Sequence, residues 1–331
     1  MTEYFQPISH IKHTMKELSI GRSCNHVFST QGENVMNIFE NHIPLEKLKW
    51  NEPLKDHTYI KLGGKADILI HPTTKEEIVN VINIAKTHQI PLTVIGKGSN
   101  VIIKDQGVRG ITLSLSQFDQ IKVYGDKIVA QSGSNIIDVS RTALDNSLTG
   151  LEFACGIPGS TGGALYMNAG AYGGQMDEVV ERALVVTKHG ELLNMVRDDM
   201  QLGYRNSIFR TDHYIILEVE FKLKPGNKDN ISSTMQDLTF KRESKQPLEF
   251  PSCGSVFKRP EGHYVGKLIQ ECNLQGTRIG GAEISKKHAG FIINADDATA
   301  EDYLELIKLI KKTVRDQFNI ELETEVIILG E

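Results

Sequence analysis

Gly156 to Gly174, GIPGSTGGALYMNAGAYGG, holds seven glycines in nineteen residues. A backbone so bare suits close approach by a large flat ligand, or a phosphate held through successive N–H groups. A second small-residue loop, Gly96-Lys97-Gly98-Ser99-Asn100, leaves the apolar run PLTVI and leads into Val101. Its spacing invites comparison with the G-x-G-x-x-G turn of dinucleotide-binding proteins. The third glycine is missing, and the VIIKDQGVRGITLSL that follows is rich in β-formers, so that fingerprint is excluded. On its own the loop reads either as a tight β-turn or as an N–H nest for phosphate without a helix dipole.

Basic residues gather further along. Residues 240–290 carry Lys241, Arg242, Lys245, Lys258, Arg259, Lys267, Arg278, Lys286 and Lys287 against Glu243, Glu249, Glu261, Glu271 and Glu283. This is an excess of four positive charges in a chain of formal net charge −5. Most such runs are solvated faces; the embedded PSCGSVFKRP points instead to a site for an anionic small ligand.

The overall balance excludes other classes. An acidic chain with one tryptophan and no aromatic–basic repeat has nothing to grip a nucleic acid or an anionic membrane. Cys24, Cys155, Cys253 and Cys272 are scattered without a C-x-x-C pair, so they read as reduced thiols of a cytoplasmic protein, not as disulfides or a zinc site. His10, His13 and His26 could suggest metal, but they fall in a stretch without sustained period that reads as a solvated tail. No ligand spacing for a catalytic metal occurs elsewhere. The N-terminus lacks a secretory h-region, and no eighteen apolar residues run together.

These residues need elements to hold them, and 331 residues allow two or three domains. TYIKLGGKADILI alternates like a strand. Ile78, Val81, Ile82 and Ala85 then recur at helical spacing behind a capping box of Thr74 and Glu77. PLTVI reads as a buried strand, and Ile136, Val139, Ala143 and Leu144 share the face of a short helix. RALVVTKHGELLNM and YIILEVEFKLKPG read as strands, and Pro225-Gly226 as a linker. Beyond it, ISSTMQDLTFKRESKQP and GHYVGKLIQECNL contain helices. The last helix is capped by Thr299 and Asp302, with Tyr303, Leu306, Ile307, Ile310, Val314 and Phe318 on one face, and ELETEVIIL closes the chain as a strand.

GKGSN, GLEFAC with GIPGSTGGALYMNAGAYGG, GYRNSIFR, PSCGSVFKRP, IGGAEISKKHAGFIIN and LETEV, in that order, resemble the UDP-N-acetylenolpyruvoylglucosamine reductase family, flavoenzymes of peptidoglycan precursor synthesis. The resemblance runs from about Leu54 to the C-terminus. It implies an α+β fold: a two-subdomain FAD-binding domain of the PCMH, vanillyl-alcohol-oxidase type over residues 36–115 and 116–225, then an α+β substrate-binding domain over 226–331. It implies FAD as bound cofactor, NADPH as co-substrate and UDP-N-acetylglucosamine enolpyruvate as substrate, in a monomer or weak dimer. FAD would lie against Gly96, Lys97, Gly98, Ser99, Asn100 and Val101 on one side. On the other would lie Gly156, Ile157, Pro158, Gly159, Ser160, Gly163, Asn168 and Gly170, with glycines where the cofactor fills the space of side chains.

The motif matches give three residues catalytic roles: Arg205 on the substrate carboxylate, Ser255 as proton donor to an enolate, and Glu325 orienting substrate or holding a proton. Glu323, two residues earlier on the same strand face, cannot be separated from Glu325 by spacing; the motif selects Glu325. Tyr204, Lys245 and Arg259 match substrate-contact positions, although some relatives carry an amide residue at the place of Arg259. His288 reads equally as a ligand contact and as a structural histidine. VVTKHGELLNMVRDDMQLGYRNSIF is too short for the tyrosine-bearing loop of one family type, which implies the shorter type with a more open substrate site. An oxidase of the same fold, or a nucleotide-binding protein without activity, are the rival readings. Residues 1–35 are expected to be a dispensable extension. A chain beginning at Met36 should therefore fold and keep its activity, and loss of either, by thermal unfolding and turnover, would reject the expectation.

Overall fold

The computed structural model describes residues 35–40 and 42–331. The N-terminal extension, with His10, His13, His26 and Cys24, lies outside them save for Val35. Helix Lys75–Thr87 buries Ile78, Val81, Ile82 and Ala85, and Thr74 Oγ1 accepts from Glu77 N–H at 3.2 Å. The capping box is displaced by one residue on its return half: Glu77 accepts from Thr73 N–H at 2.7 Å, while Lys47 holds its other oxygen. This helix crosses over a four-stranded sheet ordered Leu48–Trp50, Ala66–Ile70, Val108–Ser114, Leu92–Ile95, whose last three strands are parallel. Ala66–Ile70 is buried at every position because it is covered on both faces.

A second sheet is wholly antiparallel, in the order Leu192–Val196, Val180–Val186, Ile215–Lys222, Lys127–Gln131, Ile121–Tyr124. Helices Ile136–Asp145 and Thr161–Tyr166 bury Ile136, Val139, Ala143 and Leu165 in its core with Val185 and Phe221. The expected linker is pinned to this unit: Lys224–Pro225 pairs with Leu148–Thr149, and Gly226 N–H donates to Ser147. Helix Lys228–Lys245 also packs here, where the Cys155 thiol meets Met235 O and Thr239 Oγ1.

The third sheet runs Ser252–Ser255, Phe291–Asn294, Ala282–Ile284, Arg278–Ile279, antiparallel throughout. Behind it lies helix Ala300–Phe318, whose Tyr303, Leu306, Ile307, Ile310 and Val314 are buried and whose Thr299 and Asp302 form a complete capping box. The closing strand is shorter than its sequence pattern, Ile327–Leu329, and pairs in parallel with Val101–Ile103, on the far side of the chain from its neighbours in sequence. Two further ties join these regions. Asp105 accepts from Ala300 and Glu301 N–H at 2.9 and 3.0 Å, and Asn294 Nδ2 donates to Ile60 O at 3.1 Å. Among the described residues no helix is long and apolar enough to cross a membrane, and Cys155, Cys253 and Cys272 are free thiols.

Asp105 gives the last helix two hydrogen-bond acceptors where its first N–H groups lack partners. Asp105→Ala should cost about 1–2 kcal/mol of stability, in the range of a lost cap, and Asp105→Asn less. Urea unfolding of the three proteins checks this; equal midpoints would refute it.

Candidate active site

A cavity of about 910 Å³ is lined from all three parts of the chain. Gly96, Lys97, Gly98, Ser99, Asn100 and Val101 face it, as do Ile157, Pro158, Gly159, Ser160, Gly163 and Gly170. The two glycine loops interlock. A Cβ on Gly96 would stand 2.2 Å from Ser160 Oγ, and one on Gly159 would stand 2.4 Å from Ser99 Oγ. At these two positions the opposing loop's serines already crowd the space a side chain would take. Among the described residues the N–H groups of Lys97, Gly98 and Ser99 have no hydrogen-bond partner, as an anion nest requires.

Two expected cofactor residues stand outside the cavity lining. Gly156 backs Arg242, whose Cδ would be 2.8 Å from an added Cβ. Asn168 is buried, with both ends of its amide committed: Nδ2 donates to Gly203 O at 3.0 Å and Oδ1 accepts from Asp177 N–H at 3.0 Å. It braces the turn that carries Arg205, with one Nδ2 hydrogen left over.

A second cavity, about 400 Å³, adjoins the first, and Arg205, Ser255 and Glu325 line both. Each is brought there by a different device. Gly203 and Asn206 exchange backbone hydrogen bonds to close a turn with Arg205 near its tip, in left-handed backbone (φ 52°) that costs a non-glycine residue on the order of 1 kcal/mol. Ser255 ends a bulged strand: Ser252 pairs with Ile293 but Ser255 with Phe291, and Gly254 between them has φ 79°. One residue later the strand changes partners. Val256 N–H donates to Gly290 O, and Val256 O accepts from Glu325 N–H at 2.8 Å, so the serine and the glutamate are set side by side by backbone pairing. Asn100 fixes Glu325 from the other direction, its Nδ2 donating to Glu325 O at 3.2 Å.

The two glutamates left open by spacing have different surroundings. Glu323 points outward, 70% exposed and paired with Lys258, and lines neither cavity. Glu325, 17% exposed, accepts from Arg205 Nε at 2.7 Å. Burial pushes its carboxyl above the ordinary glutamate range, and the opposing attraction of Arg205 and Lys258 does not cancel that. Arg205 Nη2 also donates to Gly170 O at 3.2 Å, which leaves Nη1 free to meet an anion.

Of the expected substrate contacts, Tyr204 and Arg259 line the second cavity, and Lys245 lines neither. Arg259 lies over the Tyr264 ring at 3.9 Å, and its backbone N–H donates to the Tyr204 hydroxyl at 3.1 Å. His288 lines the second cavity while its Nδ1 accepts from Gly290 N–H at 3.1 Å, and burial holds its pKa below the usual histidine value, so the ring is a neutral brace with one nitrogen committed. Sequence reasoning missed Arg242 and Gln246 in the first cavity and Lys267 and Gln270 in the second. Arg242 is half-buried without a carboxylate partner among the described residues, and desolvation lowers its pKa. Its place in the basic run was the available signal. Gln246 Oε1 and Ser132 Oγ are buried without partners and also line the first cavity.

Residues 66–195 match the family model described as an FAD binding domain, and residues 246–329 the one described as the UDP-N-acetylenolpyruvoylglucosamine reductase C-terminal domain. Over 289 residues the chain is 58% identical to UDP-N-acetylenolpyruvoylglucosamine reductase 2 of Bacillus anthracis, covering 87% of this chain and 95% of that relative. It is 56% identical to the UDP-N-acetylenolpyruvoylglucosamine reductase of Staphylococcus aureus strain COL, covering 87% and 94%. The chain belongs to the UDP-N-acetylenolpyruvoylglucosamine reductase family. The crystal structure of the reductase from Thermus caldophilus superposes with a TM-score of 0.74 at 31% identity, over 86% of this chain and 98% of that one. UDP-N-acetylenolpyruvoylglucosamine reductases are oxidoreductases that use FAD and NADPH, and the first cavity fits FAD. It offers unpaired N–H groups and Arg242 to a diphosphate, and Ser132 and Gln246 as polar atoms in need of partners.

Because its pKa is raised, Glu325 binds a proton more tightly folded than unfolded. Its contribution to stability is present at low pH and lost as pH rises through the raised value. Thermal unfolding across pH should show the wild type losing ground to Glu325→Gln over that interval; parallel curves would refute the assignment.

Proposed function

We propose that this chain reduces the enolpyruvyl double bond of UDP-N-acetylglucosamine enolpyruvate to UDP-N-acetylmuramate with NADPH, in the cytoplasm, as a step of peptidoglycan precursor synthesis. The observation that carries the proposal is the position of Arg205, Ser255 and Glu325 on the wall common to both cavities, where a cofactor in the first would meet a substrate in the second. FAD, held between the Gly96–Val101 loop and the Ile157–Gly163 segment, would supply hydride transfer from NADPH to the methylene carbon of the enolpyruvyl group.

The protein's share is electrostatic and protic. Hydride arrival at the methylene carbon places negative charge on the adjacent carbon and its carboxylate. Arg205, with Nη1 still free, binds that carboxylate and gains strength as the charge grows in a partly dry site. Ser255 gives its hydroxyl proton to the carbon. A serine is a weak acid, but an enolate carbon is basic enough to take its proton while neighbouring donors stabilise the alkoxide. Glu325 sits beside it as a carboxyl with raised affinity for a proton, and it holds Arg205 by one edge. The second cavity supplies Lys267, Lys287 and Arg259 for a nucleoside diphosphate, and the aromatic faces of Tyr204 and Tyr264.

Anaerobic spectra of the flavin-loaded protein test the assignment. NADPH should bleach the flavin, and the enolpyruvyl sugar nucleotide should restore its colour. Ser255→Ala should leave bleaching nearly unchanged and slow the return by roughly 10²–10⁴-fold, the usual worth of a general acid. Equal slowing of both half-reactions would remove Ser255 from proton transfer. Bleaching with no return in the wild type would favour an oxidase or dehydrogenase of another substrate.

A further inference from the structure

The bulge that presents Ser255 is held unequally along its length. Ser252 is paired to Ile293, Ser255 to Phe291, and Val256 is fixed on both sides by Gly290 and Glu325. Between the two paired serines stand Cys253 and Gly254, where the register shifts. Gly254 packs on nothing: a Cβ added there would meet no atom within 4 Å, and its role is to supply the left-handed φ that turns Ser255 toward the cavities. Cys253 is 2% exposed, and its Sγ lies 3.0 Å from the Tyr303 hydroxyl. Tyr303 is fully buried in the first turns of helix Ala300–Phe318, and among the described residues Cys253 is the hydrogen-bond partner of its hydroxyl. That end of the helix is the one fastened by Thr299, Asp302 and Asp105. A firmly anchored phenol therefore reaches the bulge at the one side chain within it that can be gripped.

We propose that the Cys253–Tyr303 hydrogen bond sets the position of Ser255, so that both are positioning residues for the proton transfer. The inference rests on the reading of Ser255 as proton donor. The thiol itself has no reactive part to play. Burial pushes it up to about 12, so it stays protonated and is neither a nucleophile nor a reductant at ordinary pH. Its value is its reach and its capacity to satisfy a buried hydroxyl, which would otherwise stand without a partner. Alanine at 253 leaves that hydroxyl orphaned and opens a space beneath the bulge. The backbone can sink into it and carry Ser255 away from the reacting carbon.

The test uses Cys253→Ala, Cys253→Ser and Tyr303→Phe, each in the wild type and on Ser255→Ala. Both half-reactions are followed by flavin absorbance, with thermal unfolding of the flavin-free and flavin-loaded proteins. Cys253→Ala and Tyr303→Phe should slow the substrate-driven return of colour on the order of ten- to a hundredfold, the scale of a small misplacement of a reacting group. They should leave bleaching by NADPH within about twofold and cause almost no further slowing on Ser255→Ala, because two residues acting through one step are not additive. Cys253→Ser, which keeps a hydrogen bond to Tyr303, should recover most of the rate. Undiminished slowing on the Ser255→Ala background, or matched losses in both half-reactions with a lowered melting temperature, overturns the proposal in favour of plain packing. If Cys253→Ala fails to fold, Tyr303→Phe and Cys253→Ser decide by the same criteria. Ser255→Ala with an unchanged return rate would instead overturn the reading of Ser255, and the proposal with it.

Discussion

The active-site arrangement depends on one backbone pairing. Ile327–Leu329 joins Val101–Ile103 in parallel, and everything near the chemistry is indexed to that register. Ile327 N–H donates to Asn100 O, and Asn100 Nδ2 returns to Glu325 O, so the loop that offers N–H groups to the first cavity and the carboxyl on the shared wall form one braced unit. Glu325 N–H then fixes Val256 O and with it the strand of Ser255. A shift of one residue in the register would turn Glu325 away from Arg205, since side chains alternate faces along an extended chain.

Charge at the junction is arranged for a ligand more than for stability. Arg205 and Glu325 are both about four-fifths shielded and meet through a single short contact, so neither is fully neutralised. Partly desolvated pairs of this kind return little net free energy, because attraction must offset the loss of water. What they provide is a guanidinium edge and a carboxyl in fixed relation, with the carboxyl inclined to hold a proton. Arg242 is a sharper instance, a half-buried cation facing a cavity without an acidic partner among the described residues. Buried charge of that kind is costly unless an anion completes it.

Local patterns made much of the fold legible in the sequence. Helices Lys75–Thr87 and Ala300–Phe318 follow from apolar spacing and threonine caps, which are local effects. The site was legible through short motifs in order, and Arg205, Ser255 and Glu325 do meet on one wall. What escaped depended on contacts between distant segments. Asn168 sits in the glycine-rich segment as a ligand residue would, yet it lies outside the cavity lining and its amide bridges Gly203 and Asp177. Lys245 and Arg242 lie one helical turn apart, yet Arg242 lines the first cavity and Lys245 lines neither. The destination of the last strand was equally hidden, since ELETEVIIL reads as a strand without naming its partner.

That partner has a bearing on how the molecule comes into being. Asn100 and Glu325 are 225 positions apart, so the contact closes a loop of nearly the whole folded chain. Local helices and hairpins form early, whereas a pairing of such separation must wait for the intervening segments to condense. Each subdomain can therefore take shape before the shared wall exists, and the two cavities meet only once that distant pairing closes.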